Sequence, residues 1–184
     1  MRKIILLLLV GLLMYSCSED VLPKPKAYLS LNYPAITYQK KTVAKPYSFE
    51  VSSVVKITEQ PNFWRQIKYP KLKASIDITY RPVTNNLTEL LTESEKLVYK
   101  HAVKAEEIIT KSFENFDKRV FGSMQEISGN AASQIQFHIT DSTDNFIKGA
   151  LYFYAKPNYD SILPAVAYIK KDIIRLIETL EWNP

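Results

Sequence analysis

The side chains best able to ligate a metal or move a proton near neutral pH are two histidines, His101 and His138. His101 falls within an apolar stripe, three residues after Val98 and four before Ala105, and reads as a core histidine. His138 alternates with Gln136 and Thr140 on the polar side of a strand-like segment, which suits a surface or network residue. The two stand on separate elements, with no HExxH run and no acidic cluster at ligand spacing, so no metal is expected. Lys73 and Asp77 share a strand face, but four residues of strand span about 13 Å, so they do not form an acid/base pair. Glu106 and Glu107 read as the solvated side of a helix. Ser123 and Ser133 lack the flanking glycines of a nucleophile elbow, and no glycine-rich phosphate loop occurs. A hydrolase is therefore the weakest class, and no catalytic residue or cofactor is assigned.

Cys17 is the residue whose neighbours imply a definite reaction. Arg2 and Lys3 open the chain, Ile4 to Leu13 is apolar apart from Gly11, and polar Ser18-Glu19-Asp20 follows the cysteine. This is the pattern of a secretory signal. The run is short for a membrane-spanning helix, which needs about 20 apolar residues. Met14-Tyr15-Ser16-Cys17 resembles a bacterial lipobox, in which the cysteine is acylated; Met14 replaces the usual Leu, Tyr15 is bulky, and Ser16 is suitably small. A plain cleaved signal with an incidental cysteine and an uncleaved anchor are the alternatives. The lipoprotein reading is favoured.

Cleavage before Cys17 divides the chain into a signal peptide at 1–16, an acylated cysteine with a Pro/Lys tether at 17–26, and one domain at 27–184. Of 184 residues 168 remain, enough for one real core. Loss of Arg2 and Lys3 lowers the formal charge from +5 to +3. Without a clustered basic stripe this charge implies no nucleic-acid partner. Cys17 is the only cysteine, so disulfides and cysteine nucleophiles are excluded once it is acylated. Pro23-Lys24-Pro25-Lys26 favours an extended spacer.

The remaining elements would have to position any site. Residues 26–34 read as a first strand. Tyr47 to Val51 reads as a strand continuing towards Val55 and Ile57, and Gln60 to Arg65 as a loop with Trp64 packed onto the domain. Lys71 to Arg81 alternates, with Ala74, Ile76, Ile78 and Tyr80 on one face. A long helix is predicted from Asn86, its stripe running through Leu90, Val98, Ala102, Ala105 and Ile109 to Phe113. Three strands follow at 119–127, 134–140 and 147–155, joined as an antiparallel meander. A final helix carries Val166, Ile169, Ile173 and Leu176, with Pro164 near its first turn and Trp182 at its end. The prediction is an α+β domain: a mostly antiparallel sheet with a long central helix and a C-terminal helix covering one face, similar to the PsbP-like sandwich. That likeness carries no function.

What remains is aromatic and basic surface. Trp64, Lys71, Lys73, Tyr152 and Tyr154 are the candidate interface, since aromatic residues beside cations suit protein contacts. The alternative is a glycan- or ligand-binding platform built from Trp64, Tyr80, Tyr152 and Tyr154. Packing on the second sheet face would also account for several of these residues.

Five stretches carry a family resemblance: Pro23 to Pro34, Lys45 to Glu50, Tyr69 to Tyr80, Gly129 to Asp141, and Phe146 to Tyr154. Together with the lipobox they resemble the gliding motility lipoprotein GldD family of Bacteroidetes, over almost the whole mature chain. The resemblance implies a lipid-anchored protein of the cell outer membrane, required for gliding and for the type IX secretion machinery, with other envelope proteins of that apparatus as partners. It implies no reaction, and only the acylation of Cys17 transfers. Ser18-Glu19-Asp20 resembles a weak form of the surface-export signal of Bacteroidetes lipoproteins, so periplasmic and surface faces both stay open.

Overall fold

The computed structural model describes residues 33–41, 46–101, 103, 105–154 and 158–183. Cys17, the signal and the tether lie outside the described residues, as do 26–32 of the expected first strand; Tyr33 and Pro34 themselves are in no strand. The elements in order are β1 (Tyr38–Lys41), β2 (Tyr47–Ser52), β3 (Lys56–Glu59), β4 (Arg65–Tyr69), β5 (Ala74–Pro82), α1 (Leu87–His101), β6 (Ala105–Asn115), β7 (Val120–Gly129), β8 (Ile135–Thr140), β9 (Asn145–Phe153), α2 (Tyr159–Thr179) and β10 (Glu181–Trp182). Seven strands form one antiparallel sheet in the order β3-β4-β5-β9-β8-β7-β6, and β1-β2-β10 form a second. The expected α+β class and the β7-β8-β9 meander are present.

Register decides what each face of the large sheet carries. Arg65, Ile78, Gly149, Phe137 and Met124 lie opposite one another in a row across five strands. This row belongs to the main core, with Ile169, Ile173 and Leu176 of α2 and Tyr47, Phe49 and Val51 of β2. The second face carries Ile127, which clusters with Val98 of α1 and Ala131. The two helices therefore cover opposite faces, not one. A helix with one apolar stripe can seal only one side, and each side of this sheet presents its own apolar positions. In α1 the stripe is Leu90, Ser94 and Val98, buried at a spacing of four.

Several boundaries differ from the sequence expectation. The long helix stops at His101, and 105–115 is strand. Ile108, Ile109 and Thr110 are three β-branched residues in a row, which crowd a helix and suit a pleated strand. The expected strand from Tyr47 to Ile57 is two strands in different sheets, broken by a turn after Ser52. β4 starts at Arg65, the last residue of the expected loop, and runs through 66–69, which no expected element covered; Arg65, buried at its head, interrupts the apolar alternation of Ile67 and Tyr69. Lys71 belongs to a short 3₁₀ turn and Lys73 is left-handed at φ 49°, so β5 begins only at Ala74. Pro164 is the sixth residue of α2, beyond the first turn. Trp182 belongs to β10, pairs with Tyr47 and donates from Nε1 to the Arg119 carbonyl at 2.9 Å.

Two tight features hold the meander. Asp141, 5 % exposed, accepts backbone N–H bonds from Thr143, Asp144 and Asn145, each at 2.9 Å, and closes the β8–β9 turn. Burial pushes its carboxyl up, but these bonds and the Asn145 amide outweigh it and hold the group below the usual range. Gly149 lies under the Phe137 ring, so a methyl there would collide with it. Gly149→Ala should lower unfolding stability by about 1–3 kcal/mol, the usual cost of overpacking. Urea unfolding checks this, and Phe137→Leu in the same chain should recover part of the loss; an unchanged midpoint for Gly149→Ala would refute the contact.

Candidate interaction surface

The face of the large sheet on the α1 side is unusually polar. One cross-strand row runs Gln66, Asp77, Ala150, Gln136 and Gln125, and the next runs Thr79, Lys148, His138 and Ser123. At one end the hydroxyl of Tyr154 donates to Ser75 Oγ at 2.8 Å, and Ser75 donates to Asp77 Oδ1 at 2.7 Å. Gln66 Nε2 closes the ring, donating to Asp77 Oδ1 at 2.9 Å and to the Tyr154 oxygen at 3.1 Å. The ring satisfies a carboxylate beside a buried serine. Burial and the negative charge of Asp77 push the neighbouring Tyr152 hydroxyl up.

This ring is not a catalytic triad. Ser75 is fully buried. His138 stands two strands and one row away from Asp77, about 10 Å or more by sheet spacing. Its ring stacks on Phe146 at 5.9 Å with an interplanar angle of 9°, and burial pulls its pKa down, so it is neutral at neutral pH. It lines a cleft of about 420 Å³ between α1 and the sheet, with Leu91, Ser94, Val98, Ser123 and Gln125. The side chain of His101 lies outside the described residues.

On the opposite face sits a buried acid that sequence patterning did not single out. Asp172 of α2 is 4 % exposed and accepts from Tyr69 at 2.8 Å and from Tyr38 at 3.1 Å. It thus ties α2 to β4 and β1. Burial raises its carboxyl more than the two hydroxyls lower it, and Tyr38 is pushed up to about 12, chiefly by burial and then by the Asp172 charge. A heptad position on an otherwise apolar stripe was the available signal. Because the folded carboxyl titrates above its ordinary value of 3.8, the fold holds this proton more tightly than the unfolded chain does. Its contribution is complete below the unfolded value and is lost as pH rises through the folded one. The stability of wild type relative to Asp172→Asn should therefore decline from the acid side of the carboxylate range to neutral pH. Urea midpoints across that range check it; a constant difference would contradict the shifted carboxyl.

The structure divides the residues proposed from sequence. Lys71, Lys73, Tyr152 and Tyr154 gather where β5 begins and β9 ends: Lys71 and Lys73 are exposed, Tyr154 is 59 % exposed, and its N–H donates to the Lys73 carbonyl at 2.7 Å. Trp64, 38 % exposed, is at the far end of β5, where Nε1 donates to the Tyr80 carbonyl at 3.2 Å. Seven residues of strand separate Lys73 from Tyr80, about 23 Å. Tyr80 itself turns to the main core and stacks on Tyr47 at 5.9 Å. Trp64, Tyr80, Tyr152 and Tyr154 thus do not share one platform.

Fold and surface together define a class: an antiparallel α+β sandwich whose polar face is knit by its own side chains. Among the described residues no group of three or more His, Cys, Asp or Glu could hold a metal, and no helix is long and apolar enough to cross a membrane. The sequence model of the gliding motility lipoprotein GldD family matches residues 18–182, and the chain belongs to that family. The match begins one residue after Cys17. No match was found among curated proteins. Membership implies a lipid-anchored protein with a role in gliding motility, and the family is not a known enzyme family.

Proposed function

We propose that this chain is an outer-membrane lipoprotein without catalytic activity that supports the gliding and type IX secretion machinery through protein contacts. The observation that carries it is the family match over residues 18–182. In this reading the signal at 1–16 is removed, Cys17 is acylated, and residues 17–26 hold the single domain at 27–184 off the bilayer. Several acyl chains on one residue hold a protein firmly, where one chain holds it only marginally. The end of the sheet carrying Lys71, Lys73, Tyr152 and Tyr154 is the first candidate for contact, because exposed cations stand there beside an exposed aromatic ring. Trp64 is a second, separate point.

A photo-crosslinking residue placed at Tyr154, and in a parallel strain at Trp64, tests this in living cells. The reading expects an adduct with another envelope protein of the apparatus from Tyr154. Absence of any envelope adduct from both positions would overturn the contact role.

A further inference from the structure

We infer that the outer edge of β6 is a self-association surface, on which a second copy of this chain adds its own β6 antiparallel. The edge is long and open. β6 ends the order of the large sheet and, among the described residues, has β7 as its only strand partner. It spans 11 residues, whereas β3 at the other edge spans four. Short edges are protected by their length, and long ones offer a row of unpaired backbone groups to another strand. The strand carries one exposed large apolar residue, Ile109 at 53 %, and two more flank it, Val103 at 84 % and Phe116 at 75 %.

Charge and register select the occupant. Two copies related by a two-fold axis through the sheet keep the same faces, so residues paired across the axis must lie on one side of the pleat. The axis then passes at a residue, and five centres, Ile108 to Ser112, lie along the middle of the strand. Centring on Lys111 sets that lysine against itself. Centring on Thr110 sets Glu106 against Glu114. Centring on Ile108 or on Ser112 gives no pair of opposite charges within the strand. Centring on Ile109 sets Glu107 against Lys111 of the second copy, twice by symmetry, with Ile109 against Ile109 of the second copy between the two pairs. Glu107 lies on the same side as Ile109 despite the bulge between Ala105 and Ile108, since both line the groove beside α2. Lys111 is opposite Met124 on that same side. Opposite charges placed across strands are favourable and like charges are not. The self-paired edge therefore has one preferred register, and the two large sheets become continuous.

Symmetry makes the test direct, because a single cysteine at the axis meets its own copy. The full chain is expressed in cells with Ile109→Cys, and membranes are run on non-reducing gels. A reducible dimer at about twice the mass of the monomer band is expected. Glu114→Cys, about 33 Å from its counterpart in this register, should give no dimer, and nor should wild type. Glu107→Lys should reduce the Ile109→Cys dimer, and Glu107→Lys with Lys111→Glu should restore it. Ile109 is exposed, so its replacement leaves the fold intact. Loss of the Ile109→Cys dimer, a dimer from Glu114→Cys in its place, or an adduct of Ile109→Cys with a different protein would each overturn the inference. A dimer indifferent to the charge exchange would overturn the register.

Discussion

Replacing Cys17 with alanine should move the chain out of the membrane fraction. The acyl chains on that residue would supply the hydrophobic anchor, at about 0.8 kcal/mol for each buried methylene. Among the described residues no helix can cross a bilayer in its place. The tether offers only Lys24 and Lys26 to an anionic surface, at about 1 kcal/mol each, which salt screens. Release into the soluble fraction of the chain from which the signal at 1–16 has been removed is therefore the expected result, together with loss of incorporated acyl label. Fractionation after a high-salt wash, beside metabolic labelling with a clickable fatty acid, reads both. A Cys17→Ala chain that stays in the washed membranes would mean that something other than this cysteine anchors the protein.

The second large effect is on stability. Phe137→Ala should cost about 3–5 kcal/mol, the range for removing a buried phenylalanine. Phe137 is 1 % exposed, at the centre of the row that joins β7, β8 and β9. The floor of its site is the backbone of Gly149, which has no side chain to move into the hole. Little collapse is possible, so the loss should fall in the upper part of that range. A domain of ordinary stability has only about 5–15 kcal/mol in all, and this chain has no disulfide to add to it. Urea unfolding should show a lower midpoint with an unchanged slope. A loss below about 1 kcal/mol would contradict the packing described here.

The residues explain why the meander was legible and the strand before it was not. β8 and β9 carry unbroken alternation, Ile135-Phe137-Ile139 and Ile147-Gly149-Leu151, between links rich in turn residues. β6 failed because its apolar residues also fit a helical spacing, and only the run Ile108-Ile109-Thr110 spoke against the helix. β4 failed because Arg65, a buried charge, occupies a core position. Its guanidinium lies over the Tyr47 ring at 4.0 Å and donates to the Tyr47 carbonyl at 3.2 Å, contacts made across 18 residues of sequence. Opposite faces for the two helices follow from strand order, which alternation within single strands does not encode. The candidate surface was legible as residue types. Its division into two ends of β5, and the turning of Tyr80 into the core, depend on register and on the placement of β2.

The measurement that tests the central claim most directly is the secreted-protein profile of a clean deletion strain, complemented in parallel by wild type and by Cys17→Ala. The account predicts that secretion through the type IX route and cell spreading both fail, and that only the wild-type chain restores them. Normal secretion in the deletion strain, or full rescue by Cys17→Ala, would contradict it.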